Sequence, residues 1–237
     1  MRLITGLQAV REAIRVHGEK LGRVLVEDKA GPQIEAVGRF ATDRGAKVEL
    51  VTRGELDRLA KGARHQGALC YAPDFALVPF ETLLADLPDV MIALDEIEDP
   101  QNFGAVIRSA VALGANAVLW PEHHAAPLSP ATFRASAGAV EHAMLCRVAK
   151  LPHALSEIAN AGVHVIGLDA NAPHAIADVE LNGKVVIVVG AEGKGLRKPV
   201  KAACTQLVKL PMRGPIDSLN ASVAAGIALY DVMRRRV

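Results

Sequence analysis

Apolar positions recur along the chain in two alternating rhythms, one close to a helical turn and one confined to short continuous runs. Leu7, Val10 and Ile14 keep the helical spacing and stop at Gly18, whereas Arg23 to Glu27 reads as a strand. Ile34, Val37 and Phe40 mark a second helix ending near Gly45, followed by a strand from Lys47 to Val51. A short helix from Glu55 to Ala60 and a strand from Ala68 to Tyr71 complete this first unit. Residues 74–88 carry three prolines with Pro73 and no sustained period, which suits a linker between a domain at 1–73 and another at 89–237.

Beyond the linker the runs grow more apolar. Strands are predicted at Val90–Leu94, Ala117–Trp120, Met144–Val148, Val163–Leu168, Lys184–Val189 and Gln206–Leu210. Helices are predicted from about Asn102 to Leu113, near Pro130 to Ala137, from His153 to Asn160 and from Leu219 to Arg235. Strand runs alternating with helices imply an α/β domain around a mostly parallel sheet. In such sheets ligands meet the chain beyond the carboxyl ends of the strands, so the residues after each strand are the place to look for chemistry.

Three such places stand out. After Leu94 the chain reads Asp95 to Ala110, with Asn102 a candidate helix cap and Arg108 six residues later on the same helix; alone, this reads as a capped helix with a solvated arginine. After Val189 comes Gly190-Ala191-Glu192-Gly193-Lys194-Gly195, where glycines permit positive φ and close backbone approach. Leu196-Arg197 follows where a Walker loop needs Lys-Ser/Thr, and the glycine spacing is not that of a dinucleotide fingerprint. After Leu210 a proline-bounded loop leads through Met212 to Ser218, a candidate cap, with Asn220 and Ser222 beside it.

In this order the segments NFGAVIRSA, IVVGAEGKGL and LPMRGPIDSLNASVA resemble the three signature motifs of the SpoU/TrmH ribose 2′-O-methyltransferases of the SPOUT superfamily. The resemblance covers about Asp89 to Val237 and includes Ser136 to Glu141; Ala221 and Lys194 depart mildly from the usual pattern. GLQAVREAI and His65-Gln66-Gly67 resemble the small L30e-like substrate-binding domain of bacterial 23S rRNA guanosine 2′-O-methyltransferases. The resemblance implies an α/β chain with a trefoil-knotted SPOUT catalytic domain preceded by an L30e-like domain, acting as a homodimer. It implies S-adenosyl-L-methionine as cofactor, held by Gly190, Leu210 and Leu219 with Glu192, Gly193, Met212 and Ser218. It also implies Arg108 as the residue acting on the RNA hydroxyl, with Asn102 and Asn220 shaping the site. Glu192 is either an orienter, a proton acceptor or a support of the glycine loop.

Charge adds direction. Of the 27 Lys and Arg and 26 Asp and Glu, 13 and 9 fall in residues 1–73, and 14 and 17 in the rest, so the first part is the polyanion-facing one. Arg64, His65 and Gln66 are its candidate RNA contacts, with a structural histidine the alternative. Aromatics at 3% are too few for an extensive base-stacking platform. Asp95, Glu96, Glu98 and Asp99 read as a loop rather than a metal site, and no metal is expected. Cys70, Cys146 and Cys204 lack metal-site spacing and read as buried free thiols. No apolar run reaches the roughly 18 residues of a membrane span, and the start lacks the pattern of a signal peptide, which together predict a cytoplasmic protein. The rivals are a tRNA 2′-O-methyltransferase, a non-catalytic RNA-binding protein of the same fold, and an oxidoreductase, the last disfavoured by the missing fingerprint.

Overall fold

The computed structural model describes residues 1–216 and 218–236. Its first part is a four-stranded sheet with three helices: β1 (Arg2–Thr5), α1 (Leu7–His17), β2 (Val24–Glu27), α2 (Pro32–Asp43), β3 (Val48–Val51), α3 (Arg53–Ala60) and β4 (Ala68–Ala72). The strand order is β1-β4-β2-β3, with β4 antiparallel to both neighbours and β2 parallel to β3. Val10, Ile14, Val24, Val26 and Val37 form its core, so the helical period read from Leu7 onward is the buried face of α1.

Residues 74–88 are not wholly irregular. They contain α4 (Phe80–Ala85), whose Leu83 is buried against the second sheet. That sheet is built from β5 (Val90–Asp95), α5 (Pro100–Ala112), β6 (Ala117–Pro121), α6 (Pro130–Ala135), β7 (Met144–Val148), α7 (Leu151–Asn160), β8 (His164–Leu168), β9 (His174–Ala175), β10 (Val185–Gly190), α8 (Lys198–Ala203), β11 (Gln206–Lys209) and α9 (Ala221–Arg234). Its order is β7-β6-β5-β10-β8-β11-β9, and every pairing is parallel.

Because side chains alternate along a strand, the two central strands feed two cores. Ile92, Leu94, Ile187 and Val189 face α5 and α9, while Met91, Ala93, Val186 and Val188 face α4, α7 and α8. Burial on both faces explains why β5 and β10 read as continuous apolar runs. Register sets Gly190 level with Asp95, so the chain leaves β5 and β10 side by side at one sheet edge.

Helix starts follow local chemistry. Pro stands at the first or second position of α2, α5, α6, α7 and α8, where its missing N–H costs nothing. Two expected caps need correction. Asp99, directly before Pro100, caps α5 by accepting from the Gln101 and Asn102 amides at 3.1 Å, which places Asn102 inside the first turn. Asn220 caps α9, accepting from the Ser222 and Val223 amides, so Ser218 lies outside the helix.

All three cysteines are free. Cys70 and Cys146 are buried and Cys204 half-buried. Burial pushes their thiols up to about 12, 11 and 12 respectively, so all three stay protonated at neutral pH. Among the described residues no helix is long and apolar enough to cross a membrane.

Candidate active site

A cavity of about 270 Å³ opens at the carboxyl ends of β8, β10 and β11. Gly190, Glu192, Gly193, Leu210, Met212, Ser218 and Leu219 all line it, so the glycine turn and the loop after β11 face one space. The glycine turn is a closed hook. Gly195 donates its amide to the Ala191 carbonyl at 2.8 Å, and Gly193 and Gly195 take φ of 75° and 66°. A Cβ on Gly190 would lie 2.2 Å from the Gly195 carbonyl carbon, so this glycine is required by the turn's own return strand before any ligand arrives.

Beneath the hook, Asp95 at the end of β5 is fully buried. It accepts from the Arg197 amide at 2.9 Å and from the Arg197 guanidinium at 2.8 and 2.7 Å. The pairing holds the Arg197 side chain above its ordinary pKa, chiefly through this hydrogen bond. Asp95 is thus the strut between β5 and the segment after the hook, and Asp99 is a helix cap. Neither behaves as a loose solvated carboxylate. Among the described residues no group of His, Cys, Asp and Glu has the arrangement of a metal site.

The three segments picked out in the sequence meet at one amide. Oδ1 of Asn220 is committed to the first turn of α9 and to the Ser222 hydroxyl at 2.6 Å. Its Nδ2 must therefore be the outward donor, and it reaches Asn102 Oδ1 at 2.9 Å and Glu192 Oε2 at 3.3 Å. Asn102, Glu192 and Asn220 form one hydrogen-bonded cluster at the cavity's rim.

Arg108 is not part of that cluster. Six residues at 100° each turn it about 120° away from Asn102 around α5. It is exposed, without a hydrogen bond or ion pair among the described residues. It lies on the helix that packs against α9, where Ser109 sits next to Gly226. Gly104 in the same motif serves packing: a Cβ there would lie 2.5 Å from the Thr132 carbonyl oxygen and Ala135 Cβ of α6.

In the first part, His65 is buried to 5% exposure. Its Nδ1 accepts the Gly67 amide at 3.1 Å, so its Nε2 carries the proton given to Asp57 Oδ1 at 2.9 Å. Gln66 takes φ of 52° and accepts the Leu7 amide at 3.2 Å. Both side chains brace the turn into β4, and Arg64 beside them is exposed. Arg235 donates to the Ile176 and Val179 carbonyls, both at 2.8 Å, and fastens that loop to α9.

Sequence reasoning missed one wall of the cavity. Leu168 at the end of β8 and Asp169, Ala170 and Asn171 after it line it together with Lys201 of α8. The rule that singled out the ends of β5, β10 and β11 applies equally to β8, and would have found them.

Residues 89–230 match the model of the SpoU rRNA methylase family, and residues 3–76 match that of an RNA 2′-O ribose methyltransferase substrate-binding domain. The chain belongs to the SpoU rRNA methylase family. A tRNA/rRNA methyltransferase of Mycolicibacterium vanbaalenii, described as uncharacterized, is 37% identical over 99% of this chain and 76% of its own length. One from Mycobacterium ulcerans is 41% identical over 85% of this chain and 66% of its own. Among solved structures, an RNA 2′-O ribose methyltransferase superposes with a TM-score of 0.75 at 27% identity, covering 99% of this chain and 88% of that one. The S-adenosylmethionine-bound rRNA methyltransferase of Sinorhizobium meliloti gives 0.77 at 24% identity, over 99% and 87%, which shows the fold. With the family comes its fold class, a SPOUT catalytic part behind a small α/β substrate-binding part.

Proposed function

We propose that this protein methylates a ribose 2′-hydroxyl in RNA, with S-adenosylmethionine as donor and a guanosine of 23S rRNA as target. The observation that carries the reading is the convergence of Asn102, Glu192 and Asn220 at the rim of a cavity lined by the glycine hook. The match of residues 3–76 to a 2′-O ribose substrate-binding model supports ribose as the acceptor.

The cavity suits the cofactor. Its volume lies just under the about 300–1,000 Å³ usual for small-molecule sites, and it is open on one side. Leu210, Leu219 and Val189 supply apolar walls, and the hook presents backbone polar groups together with Lys194. When bound, S-adenosylmethionine supplies a methyl group on a cationic sulfur, open to attack by an oxygen nucleophile. Gly190, Leu210 and Leu219 hold it, with Glu192, Gly193, Met212 and Ser218 around them.

The chain's own work is to orient the hydroxyl and favour its alkoxide. Asn220 fixes Glu192 by donating to one of its oxygens, leaving the other to orient the incoming hydroxyl or accept its proton. A guanidinium is a planar cationic donor and not a base, so the role of Arg108 is electrostatic, steadying the alkoxide or a neighbouring phosphate. Its place outside the cluster, on the helix packed against α9, supports a site completed by a second copy. Val223, Ile227 and Tyr230 of α9 form a stripe 47%, 45% and 59% exposed, which such a copy would cover, while Met233 packs into the core. The trefoil knot is carried over with the family reading, as are Arg64, His65 and Gln66 as the side of the first part that meets RNA. His65 would act there by holding its turn.

Calorimetry tests the donor: S-adenosylhomocysteine should bind and NAD and ATP should not. Arg108→Lys keeps the charge but loses the planar fork, so single-turnover methylation should fall while cofactor affinity holds. Mapping 2′-O-methyl marks in cells with and without the protein identifies the target. A missing mark in tRNA instead of 23S rRNA would replace the target, and no binding of S-adenosylhomocysteine would overturn the reading.

A further inference from the structure

The cavity wall missed by sequence reasoning holds a half-buried ion pair. Asp169 follows β8 directly, with its side chain 12% exposed. Oδ1 accepts the Asn171 amide at 3.0 Å, and Oδ2 accepts from Lys201 Nζ at 2.5 Å. Lys201 comes from α8, so two separate elements aim the carboxylate. The hydrogen bond from Lys201 holds Asp169 below the usual carboxylate range, and the group is ionised at any working pH. Neither residue belongs to the three motifs or to the Asn102–Glu192–Asn220 cluster.

An ionised carboxylate has about four acceptor positions. Two are used here, leaving two for donors entering the cavity. Resting on the methyl-donor reading above, we infer that Asp169 receives the ribose diol of the cofactor, and that Lys201 is the positioning residue that aims it. S-adenosylmethionine offers two kinds of donor, the neutral vicinal hydroxyls of its ribose and the ammonium of its methionine end. The Lys201 ammonium already sits on Asp169, and a second cation beside it would be repelled across a few ångströms of partly buried space. Two hydroxyls bring no charge and can donate one bond to each oxygen.

The test is calorimetry on the full chain with three ligands. These are S-adenosylhomocysteine, 5′-methylthioadenosine, which keeps adenine and diol but lacks the amino acid, and 2′,3′-dideoxy-5′-methylthioadenosine, which lacks the diol. Asp169→Asn should weaken the first two by a common factor, about ten- to hundred-fold for hydrogen bonds to a charged group. The dideoxy ligand should bind wild type weakly and the variant no worse. Lys201→Met should give a smaller common loss, and Lys201→Arg should restore part of it. Should the variants fail to fold, wild type alone still decides, because equal affinity for the diol and dideoxy ligands overturns the inference. So does a loss confined to S-adenosylhomocysteine, which would place Asp169 at the ammonium. An equal loss for all three ligands would reduce the pair to a structural strut. Failure of the donor reading is separate, since wild type would then bind neither nucleoside.

Discussion

The glycine hook separates a residue fixed by its neighbours from one fixed by its own backbone angle. Gly190 has backbone at 2.2 Å where a Cβ would go, whereas Gly193 has open space there and is constrained only by its φ of 75°. Gly190→Ala must therefore push Gly195 and Leu196 away, and thermal unfolding should shift down together with loss of S-adenosylhomocysteine binding. Gly193→Ala should cost only the about 1–2 kcal/mol of a left-handed residue, with the hook still closed. Equal effects of the two substitutions would show that the hook does not depend on the close approach at Gly190. Histidine 65 illustrates the same distinction in the first part. Both ring nitrogens are engaged, so its contribution to any RNA surface passes through the turn it braces.

At the scale of elements, α9 and its cap join stability to chemistry through one side chain. Asn220→Ala should remove the cap, at about 1 kcal/mol, and the donor to Asn102 and Glu192. Asn220→Asp keeps the cap oxygen and replaces the donor with an acceptor. The Asp variant should therefore unfold near the wild-type midpoint yet transfer methyl groups about 10²-fold more slowly, as misplacement of reacting groups by about 1 Å can cost that much. A wild-type rate in Asn220→Asp would exclude the cluster from the reaction. The elements themselves were largely legible, because α1, α2, β5 and β10 bury whole faces and so carry strong periodic or continuous apolar signals. Three were not. β1 has only four residues and is defined by pairing with β4 across the length of the first part, while α4 and α8 are six residues long with a single buried side chain each. Helix starts were misplaced where a better cap lay nearby: Asp99 before Pro100 outcompetes Asn102, and Asn220 outcompetes Ser218. The site's segments could be read one by one from strand ends. Their meeting could not, since Asn220 lies 118 residues from Asn102 and 28 from Glu192.

Across the whole molecule, the two sheets are joined by a polar lock that neither segment shows alone. Arg2 of β1 donates from both terminal guanidinium nitrogens to Glu141, one at 2.8 Å, and from its Nε to the Pro73 carbonyl at 2.9 Å. The same guanidinium lies 3.6 Å from the centre of the Phe75 ring, a cation–π contact inside the join. His17 meets Glu141 at 2.8 Å, and Glu12 of α1 meets His142 at 2.9 Å. A Cβ on Gly138 would lie 2.9 Å from Ala9 Cα, so α1 touches the turn that precedes Glu141. That turn packs on α5, the helix bearing Asn102 and Arg108. The basic first part is thereby seated on the support of the proposed active site, which fits RNA being gripped by one part and presented to the other at a set distance. Removing one member of a buried pair leaves an uncompensated charge, and Glu141 is only 2% exposed. Arg2→Ala should cost about 3–5 kcal/mol in denaturant unfolding. Limited proteolysis should then cut between Pro73 and Pro79, which the wild-type join protects. Cofactor affinity should stay within two-fold, since no lock residue lines the cavity, while single-turnover methylation of rRNA should fall as the two parts lose their register. A wild-type midpoint and cleavage pattern in Arg2→Ala would mean that the Arg2–Glu141 pair does not hold the two sheets together.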